Sequence, residues 1–424
     1  MKSIAPDEAL SLLKPGMRIF LQGATGEPEA FSEAIEHYRE TLEGVEIWAC
    51  LLPGINTFDY GSTRSLVRLV TFMASPSLRR SVESGRTRVI ELPYSQIARR
   101  LQDASFDLAI LQLSSPDHEG RCGFSISCDF GPLVWKQARK TLAIINRAAP
   151  RLARTASLPT SAIDYVWDYD RPIKTSRSQR PRSPVIATIG AICAGLIPDG
   201  ATVQSGLGEV PGAAIAALRD HRNLIIHTGM ITPEYRDLAE AGALHSESLH
   251  RAGIAWGDDA FYRWLEATDM VSFHSADVTH DAALIGTLPA FHAVNSAVEV
   301  DLFGQANLQW RDGIRVSSIG GAPDFMAGSR ISPGGRSIIA LPSETEAGAS
   351  RIVSKLSCPT ISIPAHETDT IITEHGYAQT RGLDLEARAR ALITLASPRH
   401  RETLEREWRD MTRQGAAGLP RQIP

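Results

Sequence analysis

The sequence predicts an α/β protein of two similar open domains, each a parallel sheet covered by helices. Three observations lead there. Short apolar runs alternate with longer amphipathic segments, the same rhythm restarts in the second half, and a stretch almost without apolar residues separates the two. A strand followed by a helix and another strand builds a parallel sheet, because its parallel neighbour is reached only through a crossover.

In the first half the strand candidates are Arg18–Leu21, Val45–Ala49, Val67–Phe72, Thr87–Leu92 and Asp107–Leu113, with helices over Glu29–Leu42 and Phe130–Leu142. The separating stretch is Arg171–Pro184, where prolines, serines and arginines crowd together in the manner of a linker. It sets the expected domains at residues 1–175 and 185–424. The second half then reads helix Val185–Leu196, strand Thr202–Gln204, helix Pro211–Leu218, strand Asn223–His227 and helix Pro233–Ala241. Leu383–Arg413 has helical spacing and predicts one or two helices, and Gln414–Pro424 a frayed end.

With 424 residues the chain has room for two or three cores, and 43% hydrophobic and 22% charged residues are ordinary for a globular protein. The net charge is −4 and the cations are scattered, which argues against a nucleic-acid partner. No apolar run reaches the roughly 18–20 residues of a membrane helix; the best, Ala187–Ile197, is shorter and contains glycines. The opening MKSIAPDEALSLL has early acidic residues and no apolar core, so it does not read as a signal peptide. Cys50, Cys122, Cys128, Cys193 and Cys358 show no C-x-x-C spacing and are expected to be free thiols in a cytoplasmic protein.

Four segments invite a chemical reading. ATVQSGLGEVPGAAIAALRD is strand, glycine loop and helix; Gly206 and Gly208 permit close backbone approach, and the helix N-terminus favours an anion. A dinucleotide site fits poorly, since Pro211 stands where a third glycine is needed and strand NLIIH ends without an acidic residue. A bare strand-to-helix turn also satisfies the loop. In VNSAVEVDLFGQ, Glu299 and Asp301 share one strand face, as part of a site or of a solvated or hydrogen-bonded wall. SSIGGAPDFMAGSRISPGG concentrates glycines; Gly320 and Gly321 can aim N–H groups at an oxyanion, and Arg330 and Arg336 can meet phosphates, although glycine pairs also make plain turns. Finally, His274 and His280, like His245 and His250, have no third ligand at metal spacing, so no metal is expected; no G-x-S-x-G elbow occurs.

Together these segments resemble the acetyl-CoA hydrolase/CoA-transferase family, which includes 4-hydroxybutyrate CoA-transferase. The resemblance runs through LAILQLSSPDHEGRCGFSIS, QSGLGEVPGA, Asn295–Gln305, Gly320–Phe325, Thr373–Ala378 and Arg381–Gly382. It implies two open α/β domains with the active-site cleft between them. It also implies an acyl-CoA and a small carboxylate or other acyl acceptor as substrates, no permanently bound cofactor, and a homodimer. Coenzyme A contacts would come from Gly206, Leu207, Gly208, Glu209 and Val210 and from Gly320 and Gly321, the last two also serving as oxyanion donors.

Members of the family use a glutamate nucleophile in a motif H-[ST]-E-M. Here the motif reads His227, Thr228, Gly229, Met230, so the glutamate position holds glycine and no acyl or thioester bond can form there. Glu209 and Glu234 are the candidate replacements, or the vacated space holds water or a nucleophile of the substrate itself. Ala365–His366 and His375 also depart from the family pattern and imply an altered substrate pocket. The expected function is therefore acyl-CoA chemistry, as CoA transfer to a carboxylate or as acyl transfer or hydrolysis without the glutamyl intermediate. The alternative is a non-catalytic CoA-binding sensor or partner subunit.

Overall fold

The computed structural model describes residues 2–38, 40–176 and 182–413. The expected frayed tail and the middle of the Arg171–Pro184 stretch lie outside the described residues. Two eight-stranded sheets form the frame. The first runs, edge to edge, Lys2–Ser3, Tyr165–Tyr169, Thr141–Asn146, Leu108–Leu113, Arg18–Leu21, Glu46–Ala49, Arg68–Thr71 and Thr87–Val89, all parallel. LAILQL and TLAIIN are buried along their whole length, which is why they read as unbroken apolar runs rather than alternating ones. Within LAILQL the polar residue Gln112 donates its backbone N–H to Gln22 Oε1 at 2.8 Å.

The second sheet runs Val271–Phe273, His250–Ala255, Ile225–Ile231, Thr202–Ser205, Phe291–Ser296, Arg336–Ala340, Thr370–Thr373 and Gly376–Gln379. Only the last pairing, Thr370–Thr373 with Gly376–Gln379, is antiparallel. In each sheet the strand order reverses once: between Arg18–Leu21 and Leu108–Leu113 in the first, between Thr202–Ser205 and Phe291–Ser296 in the second. Crevices open at the carboxyl ends of strands at such reversals, where neighbouring connections leave in opposite directions.

The two sheets are stitched together by an extended segment of the first half. Cys128 N–H donates to Gly253 O at 3.0 Å and Ala255 N–H to Ile126 O at 2.8 Å, so this segment continues the pairing of strand His250–Ala255.

Most expected elements are present with shifted ends, and three shifts matter. The helix expected over Phe130–Leu142 is only Gly131–Val134, because the polar stretch KQARK has no apolar face and Thr141 already begins a buried strand. The helix after the glycine loop starts at Glu209, two residues before Pro211, with Gly208 as its N-cap at φ 118°. Strand Ile225–Ile231 extends past His227 and places Gly229 inside the sheet. The C-terminal stretch forms two helices, Leu385–Leu395 and Pro398–Arg413.

Candidate active site

At the strand reversal of the second sheet lies a cavity of about 230 Å³. Its floor is Gln204, Ser205, Gly206, Asn295 and Ser296, the carboxyl ends of the two strands that part there. Gly206 is required by contact: a Cβ there would stand 2.8 Å from Asn295 Oδ1. Gly229 and Met230 form one wall and Ser317–Ala322 another, while Leu52 and Met73 reach in from strand ends of the first sheet. The site is thus built from both halves of the chain.

The loop bearing Gly320 and Gly321 is fixed by the first half. Ala74 N–H donates to Ser318 Oγ at 2.9 Å, Tyr94 N–H to Gly320 O at 3.3 Å, and Arg315 pairs with Glu91 at 2.8 Å. One turn later Asp324 receives Ser95 N–H at 3.1 Å and Ser95 Oγ–H at 2.5 Å. Burial pushes the Asp324 carboxyl up to about 6, against those two donors, which pull it down. Among the described residues no backbone carbonyl accepts from Gly320 N–H or Gly321 N–H. With φ 59° at Gly320 and the start of helix Ala322–Ile331 just beyond, these groups form an edge suited to an oxyanion.

The structure brings together Gly206, Leu207, Gly229, Gly320 and Gly321 around this one cavity. It does not bring Glu209 or Glu234 there. Both line a neighbouring cavity of about 610 Å³ on the far side of the glycine loop, with Lys174, Arg182 and Gly208. Glu234 is buried and ion-paired with Arg182 at 2.6 Å, and Glu209 is exposed in the first turn of its helix. Val210 is buried in that same turn and lines neither cavity. Neither glutamate stands where the side chain of residue 229 would have been.

The other residues that invited a chemical reading are placed elsewhere. Asp301 accepts the N–H groups of Phe303, Gln305 and Leu356 and so caps a turn, while Glu299 flanks it outside the cavity. Arg330 is committed to Glu367 at 3.2 Å and to His366 O at 2.8 Å. Arg336 starts its strand at the end opposite the cavity. Ala365, His366 and His375 do not line the cavity, so they do not reshape it directly as expected.

One residue that sequence reasoning set aside is central. His280, 3% exposed, lies in the cavity wall between the rings of Tyr94 and Phe325, each centroid 4.6 Å away. Burial and the neighbouring His227 push its imidazole down to about 3, so the ring is neutral near pH 7.

Beyond Tyr94 are Cys50, whose thiol donates to Tyr94 Oη at 3.6 Å, and Asp129; burial, and after it the Asp129 charge, raises both the thiol and the phenol. Burial pushes the Asp129 carboxyl up to about 8, and its Oδ2 has no hydrogen-bond partner among the described residues. The folded value lies above the unfolded one of about 3.9, so the native state alone keeps the proton between them and stability falls as pH rises through that window. Asp129→Asn is therefore expected to raise the unfolding midpoint by several degrees at about pH 8 and by much less at about pH 4. Scanning calorimetry at both values checks this; an equal shift at the two would contradict it.

A cavity at a strand reversal, walled by glycine backbone and holding a buried imidazole, is the kind of place where α/β enzymes bind their ligands. The comparisons agree and are more specific. Residues 1–174 match the acetyl-CoA hydrolase/transferase N-terminal domain and residues 257–408 its C-terminal domain. The 4-hydroxybutyrate coenzyme A transferase of Clostridium kluyveri is 30% identical, covering 96% of this chain and 97% of its own. RipA from Yersinia pestis has the same fold at a TM-score of 0.88 and 25% identity, covering 97% of this chain and 98% of its own. The 4-hydroxybutyrate CoA-transferase from Porphyromonas gingivalis follows at 0.79 and 27%, covering 96% and 97%. The chain belongs to the acetyl-CoA hydrolase/transferase family. The glycine loop and Gly229 fall between the two matched domains, within the span covered by the Clostridium relative.

Proposed function

We propose that the protein is an acyl-CoA-dependent enzyme in which the acceptor attacks the thioester directly, without a glutamyl intermediate. The observation behind this reading is the cavity itself, with free N–H groups at Gly320 and Gly321 on one wall and a residue without a side chain, Gly229, on the other. Relatives named as CoA-transferases and acetyl-CoA hydrolases support a CoA thioester as the substrate. Coenzyme A would lie along Gly206–Glu209, with its acyl carbonyl at Gly320 and Gly321. The volume suits a short acyl chain against Leu52, Met73, Met230 and Phe325.

Gly229 is taken as the family's glutamate position, supported by the flanking His227, Thr228 and Met230. The domains are taken as residues 1–175 and 185–424. Five free thiols support a cytoplasmic location, and the homodimer rests on family resemblance alone.

Product analysis with a panel of acyl-CoAs, with and without carboxylate acceptors, tests the reading. Free CoA, a new acyl-CoA or a cyclised acid is the expected result. Binding of CoA with every thioester left intact would sink it in favour of a sensor or partner subunit.

A further inference from the structure

The space that residue 229 leaves is occupied. A Cβ built on Gly229 would stand 3.0 Å from His280 Nε2 and 3.1 Å from its Cε1; one on Gly321 would stand 2.4 Å from the same Nε2. That nitrogen therefore lies in the gap between strand Ile225–Ile231 and the Gly320–Gly321 loop, the two walls that a thioester carbonyl would have to enter between.

The ring is held there from every side. Tyr94 and Phe325 clasp its faces, and Nδ1 is 2.9 Å from Thr279 Oγ1. The Thr279 hydroxyl also lies 3.4 Å from Ser275 O, an acceptor to which it can donate. When it donates onward in this way it accepts from Nδ1–H, and in that tautomer the Nε2 lone pair faces the cavity. No described residue donates a hydrogen bond to Nε2. A nitrogen positioned this way, unpartnered and directed at the reaction space, has the geometry of a base.

We propose that His280 is a catalytic residue whose Nε2 takes the proton of the acyl acceptor as that acceptor attacks the thioester carbonyl. This rests on the reading above, that a thioester reaches Gly320 and Gly321. With water as acceptor, the oxygen–carbon bond forms while the water proton passes to Nε2. The carbonyl electron pair moves onto oxygen, against the two glycine N–H groups. On collapse the C=O bond re-forms, the C–S bond breaks, and the proton returns from Nε2 to the leaving sulfur. The products are the free acid and CoA thiol, and His280 ends as it began. A hydroxyl acceptor follows the same course and yields an ester.

The groups facing the ring keep it uncharged at rest, so Nε2 gains a proton only as negative charge builds on the attacked thioester beside it. Tyr94 from helix Tyr94–Gln102 is held protonated by burial, His227 from the adjoining strand is pushed down to about 4, and Phe325 adds no charge. Asp324 is turned away toward Ser95.

The test uses the full chain with acetyl-CoA and butyryl-CoA in single-turnover assays, beside calorimetric binding of free CoA. His280→Gly is expected to bind CoA within about twofold of the parent and to lose roughly 100-fold in turnover, with added imidazole restoring part of the rate. His280→Gln, which keeps much of the ring's bulk, is expected to be as slow and not to respond to imidazole. Parent-like turnover by either variant overturns the proposal, as does a folded His280→Gly whose loss imidazole does not relieve. Absence of turnover in the parent protein overturns the functional reading instead, so the two failures are distinguishable.

Discussion

Gly321→Ala is expected to lower thioester turnover by roughly 100-fold while the protein still folds. The cost does not come from the backbone, because φ at Gly321 is −89°, where alanine is at ease. It comes from the methyl group, which would stand 2.4 Å from both Nε2 and Cδ2 of His280 and 3.2 Å from Phe325 Cε2. His280 has nowhere to go, since Tyr94 and Phe325 close both faces of its ring. Overpacking of this kind costs about 1–3 kcal/mol, within what a domain tolerates. A displacement of about 1 Å between imidazole and oxyanion edge is far more harmful to rate, because reacting groups must lie within a few tenths of an ångström of contact. Single-turnover rates and thermal midpoints on the same sample separate the two effects. A midpoint that collapses together with the rate, or a rate that does not fall, would contradict the assignment of this loop to the reaction centre.

Gly229→Glu is expected to lose about tenfold in turnover and to form no covalent adduct, although it supplies the residue type that the family resemblance leads one to expect at this position. A Cβ at residue 229 needs His280 to move by a few tenths of an ångström, and the rest of the glutamate side chain would have to pass the same ring. The expectation reverses when the ring is removed. Gly229→Glu combined with His280→Ala opens the space between Tyr94 and Phe325, and the carboxylate then faces the cavity beside Gly321. Intact-protein mass measured after addition of acyl-CoA should show CoA attached to the double variant and not to the single one. An adduct on the single variant, or none on a folded double variant, would show that His280 and a side chain at 229 do not compete for one place.

Much of the frame was legible because strands buried on both faces must be apolar throughout. LAILQL, TLAIIN and the runs around Ile19 and Ile47 declare themselves in this way. Both glycine loops were legible too, because close backbone approach leaves a residue-type signature; Gly206 against Asn295 is an example. The helix expected over Phe130–Leu142 stops at Val134 because the polar KQARK offers no apolar face to continue it.

The site itself was less legible. Glu209 was attractive for lying in the glycine loop and Glu234 for lying five residues past Gly229. Yet Glu209 opens a helix at the glycine loop and Glu234 begins the helix after residue 229, and both of those first turns border the neighbouring cavity. His280 could not be reached by spacing. It arrives from the end of the short helix Ala276–Thr279, on a separate crossover, and nothing local in VTHDAA marks it. The usable signal was indirect: a strand residue without a side chain, in an otherwise dense wall, implies that some other group fills its place. Asp301 fits the hydrogen-bonded wall that its alternation with Glu299 also allowed, its oxygens being consumed by turn N–H groups and the Gln305 side-chain amide.

The anchoring of the Gly320–Gly321 loop to Ala74, Tyr94 and Ser95 has a consequence for how the two halves of the chain can change. The oxyanion edge is encoded in the second half, but its position is dictated by the first, through Ser318, Gly320 and Asp324. On the proposed reading neither half alone would own a working centre, and a substitution that shifted Ala74 or Ser95 is expected to be felt as lost chemistry rather than lost folding.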